Sequence, residues 1–422
     1  MSDVTPARRV AYAVVRRVFE KGAYADRALH GEAKGLDPRE RSLAMQLAYG
    51  TVQRRLTLDH YVEQLARPAN ELDPPTLAAL RLGLYQLVFL DGVAAHAAVS
   101  ESVELAKGAR GGGHKLVNAV LRRAARGDLP VLPADDTPAG AAIAHSYPQW
   151  LVELWWERFG SDEARALLRA GNASGELALR VNTLRARPAD VTAALADLTP
   201  GVKARPAGNE LPEAIVVDGA FDAYGHPLYR QGAYTAQSRA AMLVARAVDP
   251  EPGERVLDLC AAPGGKTTHL AALMGDRGEI VAVERHAGRA KALERTCQRM
   301  GATSIRVVTA DAARFSTDEP FDRVLVDPPC SGLGTLQGHP DLRWRMSREA
   351  IERLARGQAA ILDAARAAVR PAGRIVYATC TLSPAENEAV VARSELSIEC
   401  ERLVLPHRDR TDGFYIARLS SA

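Results

Sequence analysis

The sequence contains few cysteines, and none of them are paired at the spacing of a metal site. The 422 residues include five cysteines, with neither a CxxC pair nor a cluster with histidine: Cys260, Cys297, Cys330, Cys380 and Cys400. This spacing argues against a structural zinc site and against a disulfide framework. We therefore predict a chain without a structural metal, suited to a reducing cytoplasm.

Long apolar runs and a strong excess of one charge are also missing. The opening MSDVTPARRV lacks the apolar core of a secretory signal, and no later stretch approaches the roughly 18 to 20 apolar residues that span a bilayer. The formal net charge of +3 does not by itself indicate a nucleic-acid partner, and it does not exclude one. These absences predict a soluble, cytoplasmic protein that does not act at a membrane.

The chain is long enough for two or three domains, each with its own core. Residues 1–128 carry apolar residues at helical spacing, Gly22 follows the first helix as a stop, and Asp37 with Pro38 begins another helix. Residues 127–146 contain three prolines and no sustained period, which predicts a linker. Residues 145–240 show a weaker α/β pattern, with strands predicted in LALRVNTLRA and EAIVVDGA.

Short apolar strands alternate with helical segments over residues 241–422. The strands are ERVLDLC, EIVAVE, IRVVTAD, FDRVLVD and GRIVYATC. This alternation predicts a parallel sheet covered by helices on both faces, with FYIARL as an antiparallel neighbour. Ligands of this architecture bind at the carboxyl ends of the strands. The predicted fold is thus an N-terminal all-α bundle, a small α/β subdomain and a C-terminal Rossmann-like α/β domain.

The segment LDLCAAPGGKTTHL joins the first of these strands to a helix through a turn at Pro263, Gly264 and Gly265. Glycines let the backbone approach a ligand closely, and the free amides of the helix favour a negative group such as a carboxylate. The turn is neither GxGxxG nor GxxxxGK[ST], which disfavours a dinucleotide or a triphosphate.

Acidic residues end the next three strands, at Glu284, Asp311 and Asp327. A carboxylate at such a position can accept hydrogen bonds from ribose hydroxyls. S-adenosylmethionine carries a carboxylate, a ribose and an adenine but no phosphate, and it matches this set of groups. The alternative is that each acid only caps the helix after its strand, and three acids in register favour the ligand.

Two cysteines lie at the same edge of the predicted sheet. Cys330 follows the fourth strand and Cys380 ends the fifth, and adjacent strands lie only about 5 Å apart. Carbon 5 of a pyrimidine becomes nucleophilic only after a group such as a thiolate adds to carbon 6, and a second group can then assist elimination. Asp327, beside the pair, can bond the base and stabilise charge on the ring. The residues leave open which thiol attacks, and the other three cysteines are predicted to be small buried hydrophobes.

Five segments, in order and spacing, resemble the Sun (Fmu, RsmB) family of RNA cytosine carbon-5 methyltransferases: LDLCAAPGGKTTHLA, VLVDPPCSGLGTL, HPDLRWR, RIVYATCTLSPAENE and DGFYIARL. The resemblance covers about residues 145–422, and residues 1–128 resemble the RNA-binding fold of the antitermination factor NusB. It implies a class I methyltransferase domain over residues 241–422 and an RNA-contacting subdomain over residues 145–240.

The resemblance also implies roles for single residues. Cys380 would be the nucleophile and Cys330 would assist product release, although DNA cytosine methyltransferases use the thiol of a Pro-Cys motif, so the opposite assignment competes. The family usually has serine after the nucleophile, where this chain keeps a hydroxyl at Thr381. The S-adenosylmethionine site would comprise Cys260, Ala261, Ala262, Pro263, Gly264, Gly265, Lys266, Glu284, Asp311 and Asp327.

The substrate implied by the resemblance is a cytidine of 16S rRNA, naked or in early small-subunit particles, with no obligate protein partner evident. The N-terminal arginines Arg8, Arg9, Arg16 and Arg17 would form a phosphate-binding patch or only a solvated helix face. Two other functions are compatible with the sequence: a methyltransferase of a protein or small molecule in which both thiols are structural, and an RNA-binding assembly factor without activity.

Overall fold

The computed structural model describes residues 4–66, 68–108, 112–199, 201–219 and 221–420. These residues divide into two compact units, one within Met1–Ala173 and Leu336–Arg345 and the other within Ser174–Thr335 and Met346–Ala422. The predicted division at 1–128, 145–240 and 241–422 remains a prediction. Within the described ranges, no helix is both long and apolar enough to cross a membrane.

The helices, in chain order, are α1 (Pro6–Lys21), α2 (Ala25–Glu32), α3 (Pro38–Gln53), α4 (Arg55–Leu65), α5 (Pro74–Phe89), α6 (Ala95–Leu105), α7 (Gly113–Ala125), α8 (Pro138–His145), α9 (Gln149–Phe159), α10 (Ser161–Ala170), α11 (Pro188–Leu198), α12 (Pro227–Arg230), α13 (Arg239–Val248), α14 (Gly265–Leu273), α15 (Ala287–Met300), α16 (Leu342–Arg345), α17 (Arg348–Ala368), α18 (Glu388–Arg393) and α19 (Pro406–Asp409).

The strands are β1 (Leu177–Val181), β2 (Lys203–Pro206), β3 (Ala214–Asp218), β4 (Tyr234–Ala236), β5 (Arg255–Asp258), β6 (Glu279–Glu284), β7 (Ile305–Thr309), β8 (Phe321–Val326), β9 (Val369–Thr379), β10 (Ser397–Val404) and β11 (Phe414–Ser420).

The helical unit follows the start and stop signals of its sequence. Helix α1 buries its apolar stripe and ends where Gly22 adopts a left-handed conformation with φ of 62°. The Asp37 side chain accepts hydrogen bonds from the amides of Arg39 and Glu40 at the start of α3. The prediction of a helical bundle is confirmed.

Two expectations for the helical unit are wrong. Residues 138–145 are not linker but helix α8, because Thr137 caps the amide of Gly140 and the alanines behind Pro138 pack inward. Arg8 is not part of a surface patch: its side chain is buried and paired with Glu101 at 2.9 Å. Neither the prolines of residues 127–146 nor the grouping of the N-terminal arginines specifies which residues these segments contact.

The HPDLRWR segment packs within the helical unit. The buried Arg343 guanidinium donates to the carbonyl of Ser146 at 3.1 Å and to Asn172 Oδ1 at 2.9 Å, while the Trp344 indole donates to the carbonyl of Val52 at 2.8 Å. These bonds pair the indole of Trp344 and part of the Arg343 guanidinium, whose Nε has no partner among the described residues.

The smaller sheet of the second unit has strand order β2-β3-β1-β4, and all of its pairs are antiparallel. Helix α11 connects β1 to β2 and packs on the sheet through Val191 and Leu195, which are both buried. The weak α/β pattern of the sequence is therefore a four-stranded antiparallel sheet with helical cover.

The larger sheet has strand order β10-β11-β9-β8-β5-β6-β7. Strands β9, β8, β5, β6 and β7 are parallel, and β11 pairs antiparallel with β9. Apolar residues of α13 and α14 cover one face, and residues of α17 and α18 cover the other. The predictions of a doubly covered parallel sheet and of an antiparallel FYIARL strand are confirmed.

Candidate active site

The parallel strands bring the predicted site residues to one edge of the larger sheet. Asp258 ends β5, Glu284 ends β6 and Asp327 follows β8 directly. Cys380 follows β9, which pairs with β8 in parallel. Because parallel strands point the same way, their carboxyl ends form one continuous edge.

The turn between β5 and α14 is shaped by close packing. Gly264 has φ of 105°, and a Cβ atom at this position would lie 2.7 Å from Cδ1 of Leu293, so only glycine fits. The Arg289 guanidinium donates to the carbonyl of Ala262 at 2.7 Å, which fixes the residue directly before Pro263 of the turn. Helix α14 begins at Gly265, so its first amides are available to a ligand.

The acidic residues at the next two strand ends differ in their contacts. The Glu284 carboxylate is buried, accepts the His286 amide at 2.8 Å and lies 3.4 Å from the Arg289 guanidinium. Asp311 lies after β7 and accepts a hydrogen bond from the amide of Ala313 at 3.2 Å. This contact is the helix-capping role given above as the alternative to cofactor binding. The cofactor roles of both residues remain predictions.

Asp258 is a site residue that the sequence analysis did not single out. Its Oδ2 accepts the Thr267 hydroxyl at 2.7 Å, whereas its buried Oδ1 has no hydrogen-bond partner among the described residues. Burial, helped by the negative charge of Asp327, raises the pKa of Asp258 to about 6. Its place at the end of β5 was the available signal, because that position also led to the other acids.

The two thiols predicted to converge face each other. The Sγ atoms of Cys330 and Cys380 lie 3.2 Å apart, which confirms the predicted convergence. The hydrogen bond to Cys380 and burial, with the charges of Glu386 and Asp327 nearby, raise the pKa of Cys330 well above its ordinary value. Either sulfur can donate the hydrogen bond between the two thiols.

Lys266 lies in the expected cofactor turn, and its ammonium group contacts Asp327. The Nζ atom is 2.6 Å from Asp327 Oδ2 and 5.3 Å from the centre of the Phe414 ring. Burial alone would lower the pKa of Lys266, but the charge of Asp327, with a smaller effect of Cys380, raises it. A positive charge is thus maintained between the turn and the two thiols.

The remaining three cysteines differ in how much of each side chain is exposed to solvent. Cys297 is buried, and burial raises its pKa to about 12. Cys260 is half-buried, and burial raises its pKa well above the ordinary value. The expectation of a buried hydrophobe is wrong for Cys400, which is exposed because it lies on β10 at the edge of the sheet.

A buried polar network supports the turn from the side of the smaller sheet. Arg180 of β1 donates to Thr268 Oγ1 at 2.8 Å and to the carbonyl of Gly265 at 3.2 Å. Below it, Glu213 accepts from His269 at 2.7 Å and from Arg246 at 2.5 Å. Burial opposes ionisation of Glu213, but hydrogen bonds from His269 and Arg246 outweigh it and lower the pKa to about 2. The network joins the smaller sheet to helices α13 and α14.

Acidification is expected to destabilise the protein through His269. Burial, with the charge of Arg180, lowers the pKa of His269 from 6.5 to about 4. Between these values the unfolded chain binds a proton that the folded chain does not, so stability falls as the pH is lowered through this window. His269→Gln keeps an amide donor for Glu213 and should remove a pH dependence of roughly 2 to 3 kcal/mol.

Urea unfolding at pH 7 and pH 4 measures this effect. His96→Gln replaces an exposed histidine and is the matched control, expected to follow the parent protein. The same loss of stability on acidification in His269→Gln and in the parent would contradict the assignment.

A Rossmann-like sheet with a glycine-rich turn and acidic strand ends is the arrangement expected of an S-adenosylmethionine-dependent methyltransferase. The family model described as 16S rRNA methyltransferase RsmB/F matches residues 245–420. Models of the NusB family and of the RsmF/B-like ferredoxin-like domain match residues 5–126 and 147–224. The chain belongs to the RsmB/F family of 16S rRNA methyltransferases, as the resemblance predicted.

Curated relatives match along the whole chain. A probable ribosomal RNA small subunit methyltransferase B from Synechocystis is 38% identical over 99% of both chains. The ribosomal RNA small subunit methyltransferase B of Vibrio cholerae is 32% identical over 98% of this chain and 97% of its own. The protein is therefore an rRNA methyltransferase, and this membership disfavours both alternative functions.

Solved structures show the same fold. The crystal structure of PH0851 has a TM-score of 0.83, 24% identity and 99% coverage of both chains. The structure of NSun6 from Pyrococcus horikoshii with SFG has a TM-score of 0.61 and 23% identity, and covers 65% of this chain and 98% of its own. The predicted succession of NusB-like bundle, small α/β subdomain and Rossmann-like domain is confirmed.

Proposed function

We propose that the protein methylates carbon 5 of a cytidine in 16S rRNA through a covalent bond between Cys380 and carbon 6 of the base. The observation that carries this proposal is the 3.2 Å separation of two thiols at the ligand edge of a methyltransferase sheet. A methyltransferase of amino groups needs no thiol, because an exocyclic amine already has a lone pair.

The residues around the turn fit S-adenosylmethionine. The free amides at the start of α14 suit its carboxylate, the unpartnered oxygen of Asp258 suits its amino group and the Glu284 carboxylate suits the ribose hydroxyls. Asp311 is proposed to contact the adenine of S-adenosylmethionine. Lys266 forms an ion pair with Asp327. S-adenosylmethionine, when bound, supplies the methyl group.

The thiols divide the reaction between them. The resemblance to the family assigns the attack on carbon 6 to Cys380, as a thiolate, with the sulfur of Cys330 beside it at 3.2 Å. Addition moves electron density toward carbon 5. The Asp327 and Lys266 pair lies beside the thiols, where it can orient the base and stabilise charge that builds on the ring.

Release of the product requires two bonds to break. A solvent water takes the proton from carbon 5, the electron pair of that C–H bond restores the double bond between carbons 5 and 6, and the bond from carbon 6 to Cys380 breaks to return a thiolate. Cys330, at 3.2 Å, can protonate or hydrogen-bond this departing sulfur. The assignment makes Cys380 essential for starting the reaction and Cys330 for finishing it.

The substrate is proposed to be 16S rRNA, naked or in early small-subunit particles, encountered in the cytoplasm. The target base has to be unstacked to reach the thiols, so the NusB-like bundle and the small subdomain are proposed to hold the flanking RNA.

Mapping of methylcytosines tests the proposed function. In rRNA from cells that lack this gene we expect the loss of 5-methylcytidine at one position, restored by the intact gene. Purified protein with labelled S-adenosylmethionine should place the label in 5-methylcytidine of the same RNA. Label in another nucleoside, or unchanged methylcytosines in the deletion strain, would refute the cytosine assignment.

A further inference from the structure

Glu386 is a buried acid outside the set of residues assigned to the base or to the methyl donor. It lies six residues after Cys380, at the end of the short 3-10 turn Pro384–Glu386, and its side chain is fully buried. Burial raises the pKa of its carboxyl, although several hydrogen bonds oppose that effect. A group that is costly to bury requires hydrogen-bond partners.

The partners of the Glu386 carboxyl lie on the loop that carries Cys330. Oε1 accepts the backbone amide of Ser331 at 2.8 Å, and Oε2 accepts the Ser331 hydroxyl at 2.5 Å. Gln358 of α17 donates to Oε1 at 3.1 Å and to the carbonyl of Pro329 at 2.9 Å. The residues on both sides of Cys330 are therefore bound to the same polar cluster.

The same cluster reaches the residue after Cys380. The hydroxyls of Ser331 and Thr381 lie 2.7 Å apart. Because an ionised Glu386 only accepts, Ser331 donates to it and Thr381 donates to Ser331, which forms a chain of hydroxyls ending at the carboxylate. Asn387, next in sequence, donates to the carbonyl of Thr381 at 3.0 Å.

We propose that Glu386 is a positioning residue that fixes the separation of the two thiols through the Ser331–Thr381 hydroxyl chain. Each hydroxyl belongs to the residue that follows one of the cysteines, so the chain spans the same two loops as the sulfurs. The inference rests on the proposed function for its catalytic meaning, but the spacing itself can be measured without RNA or methyl donor.

A trivalent arsenical measures the spacing directly. Phenylarsine oxide bridges two close thiols: both S–H protons pass to the oxide oxygen, which leaves as water, and two As–S bonds form. The parent protein should form one bridged adduct, detected by intact mass, and Cys330→Ala should not form it. In Glu386→Gln, an NH2 group, which cannot accept a hydrogen bond, replaces one of the two oxygens that accept from the amide and the hydroxyl of Ser331. This variant should slow bridging at least about tenfold.

Two pairs of variants separate positioning from folding. Thr381→Val removes the hydroxyl with little change of shape and should slow bridging, whereas Thr381→Ser keeps the hydroxyl and should bridge at the rate of the parent protein. Glu395→Gln changes an exposed acid on a neighbouring segment and is the control for Glu386→Gln. Equal bridging rates in Thr381→Val and Thr381→Ser would overturn the proposal.

Turnover provides the second readout. Glu386→Gln and Thr381→Val should lower kcat by about 10- to 100-fold, the cost of a misplacement near 1 Å, with KM for RNA and methyl donor nearly unchanged. A rise in KM at unchanged kcat would overturn the positioning role. If the parent protein forms the arsenical bridge but makes no 5-methylcytidine, the proposed function fails while the spacing role stands.

Discussion

Cys380→Ala is expected to abolish methyl transfer to rRNA, lowering turnover by at least about 10⁴-fold, because without a sulfur at carbon 6 the base never becomes nucleophilic. The variant should also form no protein–RNA adduct with RNA that contains 5-fluorocytidine. Fluorine replaces the carbon-5 hydrogen that has to leave as a proton before the sulfur can be expelled. The parent protein should therefore remain bonded to this RNA on a denaturing gel.

Cys400→Ala is the matched control, since it removes an exposed thiol on β10 away from the ligand edge. We expect it to methylate RNA and to form the adduct as the parent protein does. Normal turnover by Cys380→Ala would show that this thiol is not the nucleophile.

Cys330→Ala is expected to separate the two halves of the reaction. Cys380 can still add to the base, but the thiol that assists its departure is missing, so adduct with ordinary RNA should accumulate. Turnover should fall by about 10²- to 10⁴-fold, the usual contribution of a positioned acid or base. A denaturing gel of labelled RNA with S-adenosylmethionine measures the adduct as one RNA per protein.

The double variant Cys330→Ala with Cys380→Ala is the control and should form no adduct. The competing assignment, in which the Pro-Cys thiol attacks, gives the reverse pattern. If Cys330→Ala formed no adduct while Cys380→Ala accumulated one, Cys330 would be the nucleophile.

For the larger sheet, the alternation of strands and helices predicted the parallel strands, and the rule that ligands bind at carboxyl ends predicted that the two thiols converge. The roles of Glu284 and Asp327 remain predictions. The predictions that are wrong rest on residue type alone. Prolines predict a linker where Thr137 caps helix α8, and the usual burial of cysteine predicts a core position where Cys400 lies exposed on the edge strand β10.

The sequence alone determined the order of the strands and helices, the glycine turn, the acids at strand ends and the presence of two thiols at neighbouring ends. Only the tertiary structure decided the 3.2 Å contact of these thiols, the partner of Lys266 and the position of Glu386 between two loops. These contacts join residues separated by 50, 61 and 55 positions. Local periodicity specifies only which face a residue occupies, whereas such distances follow from sheet register and side-chain packing.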